Sequence, residues 1–259
     1  MPHSGRKQLP GRWFLRSHGV HSAGLHYAGA AILSLSMLPY TPSAVAEALH
    51  AVLDRAAAAH DCATLAIPGG RSPGPVLTAL ASQCDPFLRD RLHLLWLDER
   101  AVAVGDAERN DAPTLAAWSA GGPLPAHLHA MPAERADLYA AAAAYAALLT
   151  HLTAGRGLDA CLIGIGEDGH VASLFPGHAG LRELDPVFPV FDSPKPPARR
   201  LTMSLGVIRS ASFRAVLALG AAKGAVVRRA RAGQDPHLPC SLLPADTLWF
   251  LDDAAQEAL

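Results

Sequence analysis

Cysteine is scarce: four residues in 259, at positions 62, 84, 161 and 240, with no C-x-x-C pair and no zinc-type spacing. This excludes a disulfide scaffold and points to a reduced, cytoplasmic protein, with Cys161, inside an apolar run, read as a small core residue. No H-E-x-x-H or other ligand cluster occurs, so neither a metal nor a cofactor is expected. An excess of one charge is also missing. The 22 Lys and Arg against 23 Asp and Glu give a net charge of -1, which leaves no global field to attract nucleic acid or an anionic membrane. An anionic ligand must then be held by a local site, and the expected partner is a small molecule. Nor is there a long hydrophobic run: the stretch Tyr27 to Leu38 is too short and broken to span a bilayer. Flanked by Arg6, Lys7, Arg12 and Arg16 on one side and Ala44-Val-Ala46 on the other, it has the outline of a secretory signal. Cleavage there would cut into Ala44 to Leu53, which reads as helix. Residues 1–36 are therefore read as a poorly ordered N-terminal extension, and 37–259 as the domain.

What is present is a chain half hydrophobic and only 17% charged, enough to bury a full core. Thr41 can cap a helix and Pro42 can open it, with Val45, Leu49, Val52 and Leu53 on one face. Apolar runs at Ala63–Pro68, Leu92–Leu97, Leu158–Ile165, Phe213–Leu219 and Thr247–Leu251 read as strands. Helical patterns separate them: one opened by Ser72-Pro73, an alanine-rich one over 134–150 and one over 221–232. Alternation of this kind predicts an α/β fold, a mostly parallel sheet with helices on both faces in a single domain. The proline-rich stretches 121–132 and 186–197 read as surface loops.

Ligands of such sheets collect beyond the carboxyl ends of the strands, and the distinctive polar residues recur there. Gly69-Gly70-Arg71-Ser72-Pro73 reads either as an anion cradle or as an ordinary strand-to-helix turn. In the first case the glycines admit the ligand, the following helix start supplies N–H groups and Arg71 a bidentate contact. It is not a Walker A loop. Gly164 to Gly169 matches G-x-G-x-x-G, but Pro176-Gly177 interrupts the long helix that a dinucleotide site needs. Asp168-Gly-His170 is more informative: an imidazole can take a proton from water near neutral pH while a carboxylate orients it. Most of the 13 histidines must be structural; His170 stands apart by its glycine loop. Asp98 and Glu99 end a strand, as base or orienter or as solvated charges paired with Arg100. Arg200 and Lys223 are plausible phosphate partners or plain surface cations.

The segment Gly164-Ile-Gly-Glu-Asp-Gly-His-Val-Ala-Ser-Leu-Phe-Pro-Gly177 closely resembles the signature of 6-phosphogluconolactonases. Trp96-Leu-Asp-Glu-Arg100 with Asn110, Gly69-Gly-Arg-Ser-Pro73, Arg200-Leu-Thr202 and Gly220-Ala-Ala-Lys223 are similar to that family's other blocks, in its order, from Thr41 to the C-terminus. The long segment is specific; the short ones are weak alone. The resemblance implies a Rossmann-like fold shared with glucosamine-6-phosphate deaminases, and hydrolysis of a sugar-phosphate lactone, 6-phosphogluconolactone, in the pentose phosphate pathway. It implies His170 as the base that activates water and Asp168 as its support. Gly69, Gly70, Arg71, Ser72, Arg200 and Lys223 would hold the phosphate, and Asp98 and Arg100 would line the sugar site, in a monomer or homodimer. The chain departs from the pattern at Pro68, where serine is frequent, at Val171, where threonine is usual, and in residues 1–36, which have no counterpart. Two rivals stand: a glucosamine-6-phosphate deaminase or isomerase, disfavoured by Ser173-Leu-Phe-Pro-Gly177, and a non-catalytic sugar-phosphate sensor, disfavoured by the missing helix-turn-helix.

Overall fold

Thr41 and Pro42 act as their residue types dictate. In the computed structural model, which describes residues 37–259, Thr41 Oγ1 accepts the Ala44 N–H at 3.1 Å and Pro42 opens helix α1, Pro42–His60. Val45, Ala46, Leu49 and Leu53 form its buried face, and Asp61 ends it in a left-handed conformation (φ 54°). Ala44-Val-Ala46 thus lies in the first turns of a packed helix. The extension expected over residues 1–36 lies outside the described residues.

The five predicted strands are the inner part of a parallel sheet: β2 (Ala63–Ile67), β3 (Leu92–Trp96), β6 (Ala160–Gly164), β9 (Phe213–Ala218) and β10 (Leu248–Leu251). Two short edge strands complete it, β1 (Met37–Pro39) and β5 (His127–His129), in the order β1-β10-β9-β6-β2-β3-β5. All six pairings are parallel. Every residue of β2 is buried, as a central strand covered on both faces must be. The covering helices are α1, α2 (Gly74–Gln83), α3 (Pro86–Arg89), α4 (Asp111–Ser119), α5 (Leu138–Thr153), α6 (Leu205–Ser210), α7 (Ala221–Arg231) and α8 (Asp253–Glu257). From β2 the chain runs outward through β3 to β5, then returns to β6 on the other side of β2. The order reverses between β2 and β6, where a parallel sheet opens its ligand crevice. Among the described residues no helix is long and apolar enough to cross a membrane.

A second sheet and the edge of the first correct the sequence reading in three places. Strands β4 (Asp98–Arg100), β8 (Arg200–Met203) and β7 (Val187–Val190) form a three-stranded antiparallel sheet in the order β4-β8-β7. Asp98 and Glu99 therefore belong to a strand of their own rather than to the frayed end of β3. The two proline-rich stretches are not loops throughout: 121–132 contains β5 and 186–197 contains β7. Both are edge strands; β7 carries Pro189, tolerated at an edge, and β5 is flanked by Pro123, Pro125 and Pro132, so proline content hid them. Leu97 joins the sheets. Its N–H donates to Ile67 O at 2.8 Å in the large sheet, and its carbonyl accepts the Met203 N–H at 2.8 Å in the small one. Ser72 does not cap α2, which starts at Gly74 behind Pro73 with no side-chain cap.

At the β3–β5 edge three imidazoles stack. His93 lies 4.2 Å from the His127 ring centroid and 5.1 Å from that of His129, and His93 Nδ1 approaches His129 Nε2 at 2.9 Å. Burial, then the neighbouring His127, His129 and His151, push the His93 pKa down to about 4.

Candidate active site

Beyond Gly164 the chain turns tightly, with Gly166 N–H donating to His170 O at 2.9 Å and Gly169 N–H to Gly166 O at 3.0 Å. A Cβ on Gly166 would overlap the His170 imidazole and the Asp168 carboxylate, and Gly169 sits at φ 83°. Both glycines are steric requirements of the turn. It delivers His170 Nδ1 to Asp168 Oδ1 at 2.6 Å, with the His170 ring 4.9 Å from that of Phe175. Burial opposes ionisation of Asp168. The hydrogen bond and charge of His170, with Lys195, outweigh this and hold its pKa down to about 2. An ionised carboxylate has no proton to give, so Nδ1 carries the hydrogen of that short contact and Nε2 keeps its lone pair. Burial is the main reason that the His170 pKa lies below the usual imidazole value; Asp168 and Asp98 oppose the shift, and Lys195 adds to it. The result is an imidazole biased toward its neutral form, with no hydrogen-bond partner on Nε2 among the described residues.

Lys195, between β7 and β8, stands over this pair. Its Nζ is 3.3 Å from Asp168 Oδ2 and 3.2 Å from His170 Nδ1. Because Nδ1 is already protonated, the ammonium bonds to the carboxylate and merely abuts the ring. Asp98, 6% exposed, accepts the Ser173 hydroxyl at 2.7 Å on Oδ2, and its main-chain carbonyl accepts Asn110 Nδ2 at 2.9 Å. Arg200 Nη1 lies 3.9 Å from Asp98 Oδ2. The buried Glu99 points elsewhere and accepts the main-chain N–H groups of Arg100, Asn110 and Asp111 at 2.7, 2.8 and 3.2 Å. Burial pushes its pKa up, while those N–H groups and Arg109 oppose the shift.

The model of the family described as glucosamine-6-phosphate isomerases/6-phosphogluconolactonase matches residues 41–249. The chain belongs to that family. A 6-phosphogluconolactonase of Streptomyces coelicolor is 38% identical over 234 residues, spanning 84% of this chain and 89% of its own. One of Mycobacterium tuberculosis is 34% identical, spanning 86% and 97%. Among solved structures, a protein designated devB superposes with a TM-score of 0.74 at 26% identity, covering 86% of this chain and 99% of that one. Thermotoga maritima 6-phosphogluconolactonase gives 0.73 at 23%, covering 84% and 98%, and shares the fold.

In this member of the family the structure brings together most, but not all, of the residues that the sequence singles out. Gly69 packs on Asn110, whose amide a Cβ there would overlap, and Gly70 takes φ 88°. This seats the Gly69-Gly70-Arg71-Ser72 loop beside Asp98. Arg71 and Ser72 are exposed, with no side-chain hydrogen bond among the described residues. Lys223, in the first turn of α7, is half-buried; burial lowers its pKa, and it lies within electrostatic reach of Glu167, Lys195 and Asp168. Arg100 turns away, donating from Nη1 to Glu108 O at 2.7 Å. Arg200, 4% exposed, directs Nε to Pro197 O and Nη2 to Lys195 O and Pro196 O, each at 3.0 Å. Sequence reasoning missed Lys195 and gave no role to Ser173 or Asn110. A signal for Lys195 exists: it is one of only three lysines among 22 basic residues, with Lys7 and Lys223.

Proposed function

We propose that this protein hydrolyses 6-phosphogluconolactone to 6-phosphogluconate, with His170 as general base. The single observation that carries the reading is the Nδ1–H form of His170, fixed by Asp168 at 2.6 Å, which leaves Nε2 free at the switch point of the sheet. Curated relatives that carry the 6-phosphogluconolactonase name along most of their length support the same reaction. Nε2 takes a proton from water as the water oxygen attacks the lactone carbonyl carbon. The carbonyl π electrons move to the oxygen, and on collapse the ring C–O bond breaks. The imidazolium then returns its proton to the departing ring oxygen, leaving a hydroxyl and a carboxylic acid, which loses its proton to solvent to become the carboxylate. Asp168 stays ionised throughout and stabilises the imidazolium. General-base help of about 10²–10⁴-fold, added to positioning, suffices for an already reactive δ-lactone.

Arg71, Ser72 and Lys223, with the N–H groups of the Gly69-Gly70 loop, bind the phosphate in this reading; Asp98, held by Ser173 and Asn110, lines the sugar pocket. A reducing cytoplasm suits four free cysteines. The test couples glucose-6-phosphate dehydrogenase, which makes the lactone in situ, to measured lactone loss above the spontaneous rate. Acceleration by wild type but not by His170→Ala is expected. No acceleration by wild type overturns the function and turns attention to glucosamine 6-phosphate; equal acceleration by both retains the function and removes the base.

A further inference from the structure

Lys195 combines two properties that do not belong together on an ordinary surface lysine. Its side chain is 46% exposed, yet its main chain is among the most heavily tied in the β7–β8 connection. Ser193 Oγ accepts the Lys195 N–H at 3.2 Å and donates to its carbonyl at 2.8 Å. The buried Arg200 adds a second bond to that carbonyl and one to the carbonyl of each of the next two residues. A guanidinium taken out of water needs its donors satisfied, and here the loop satisfies them. The consequence is that the ammonium is aimed at Asp168 from a fixed base, so little ordering entropy is lost in making the contact.

We propose that Lys195 is a positioning residue which, by sharing the Asp168 carboxylate with His170, holds the imidazole in its unprotonated, Nδ1–H form, and that Arg200 anchors the loop for this purpose. The assignment rests on His170 being the base. Asp168 divides its oxygens: Oδ1 takes the ring N–H, and Oδ2 takes Lys195. A free carboxylate at this distance would strongly favour imidazolium; one already paired with an ammonium favours it less, and the ammonium itself repels a second positive charge 3.2 Å away. The other charged groups within electrostatic reach of the pair are Asp98 from β4, which favours imidazolium, and Lys223 from α7, which interacts with Asp168. Phe175 packs against the ring at 4.9 Å without charge.

The experiment is a ring-nitrogen NMR titration of the histidines in the full chain, with His170 assigned from a His170→Gln spectrum, on wild type, Lys195→Met and Lys195→Arg. Lys195→Met should raise the His170 midpoint by roughly half a unit to one unit and move the acid limb of kcat/KM upward by the same amount; Lys195→Arg, which keeps the charge, should restore both. Arg200→Lys, a milder change than removal of the cation, should shift the midpoint in the same direction with Lys195 present. An unmoved His170 midpoint in Lys195→Met overturns the proposal, and a many-fold rise in KM alone would assign Lys195 to the substrate instead. The titration needs no substrate. If wild type fails to hydrolyse the lactone, the proposed function falls, and a shifted midpoint still reports the electrostatic sharing separately.

Discussion

Two histidine–aspartate pairs lie within ten residues of each other in the chain, and only one can act as a base. His170 meets Asp168 at 2.6 Å and His178 meets Asp192 at 2.8 Å. The difference is which nitrogen is engaged. His178 Nδ1 accepts the Gly180 N–H at 3.0 Å, capping a short 3-10 turn, so its proton must sit on Nε2, where it bonds to Asp192. Both nitrogens are spent. In His170 the carboxylate takes Nδ1 and leaves Nε2 free. Surroundings widen the gap: the Asp192 side chain is 78% exposed, so its pair is screened by water, whereas the His170 pair sits between Phe175, Lys195 and the ends of β4 and β6. A contact of one type can leave a basic nitrogen available or serve only as a turn cap, according to the tautomer that its second nitrogen imposes.

Breaking the first pair should have the largest effect. His170→Ala is expected to lower kcat on the order of 10²–10⁴-fold with KM within a few-fold, read in the coupled lactone assay. Asp168→Asn frees the imidazole to take either tautomer and removes the charge that steadies imidazolium. Its kcat should fall on the order of 10²-fold, less than for the loss of the base itself. Breaking the second pair sharpens the contrast. Asp192→Asn and His178→Gln should leave kcat within about two-fold of wild type, and a loss as large as that of Asp168→Asn would refute the tautomer argument. Across pH, wild-type kcat/KM should hold through neutrality and fall only below about 6.5, because the His170 pKa is depressed and the base is lost only as pH drops through it.

The smallest effect belongs to the β3–β5 edge, where histidines serve packing alone. His93 is held at about 4, whereas in the unfolded chain it titrates near 6.5. Between those values the unfolded state binds the proton first, so stability that is intact above 6.5 is lost as pH falls toward 4. The melting temperature of wild type should therefore drop over this window by a few degrees more than that of His93→Gln, measured by circular dichroism. Parallel curves for the two proteins would assign the drop to other groups.

How far the molecule can be read from its residues follows the same divide between local and distant causes. The inner strands are legible because buried parallel strands are continuous apolar runs, as in Leu92–Leu97. The glycine–histidine turn is legible because sterics and chemistry act within seven residues. The edge strands are hidden by proline, β7 by its own Pro189 and β5 by the flanking Pro123, Pro125 and Pro132. The partners of Asp98 are hidden because Ser173 and Arg200 reach it from positions 75 and 102 residues away, across a sheet that no local pattern announces. Arg200 reads as a phosphate ligand by charge alone, yet three of its contacts are to main-chain carbonyls. Lys195 sits in a stretch whose composition suggests nothing but loop.

Leu97, with its N–H in one sheet and its carbonyl in the other, makes the spacing between β3 and β4 intolerant of insertion and deletion. Side chains alternate along a strand, so one residue added after Leu97 would exchange Asp98 and Glu99. The acid that meets Ser173 and Arg200 would turn toward Arg109, and the acid that organises the 100–111 loop would take its place. A library of single-codon insertions should therefore show a gap in tolerated lengths at this position.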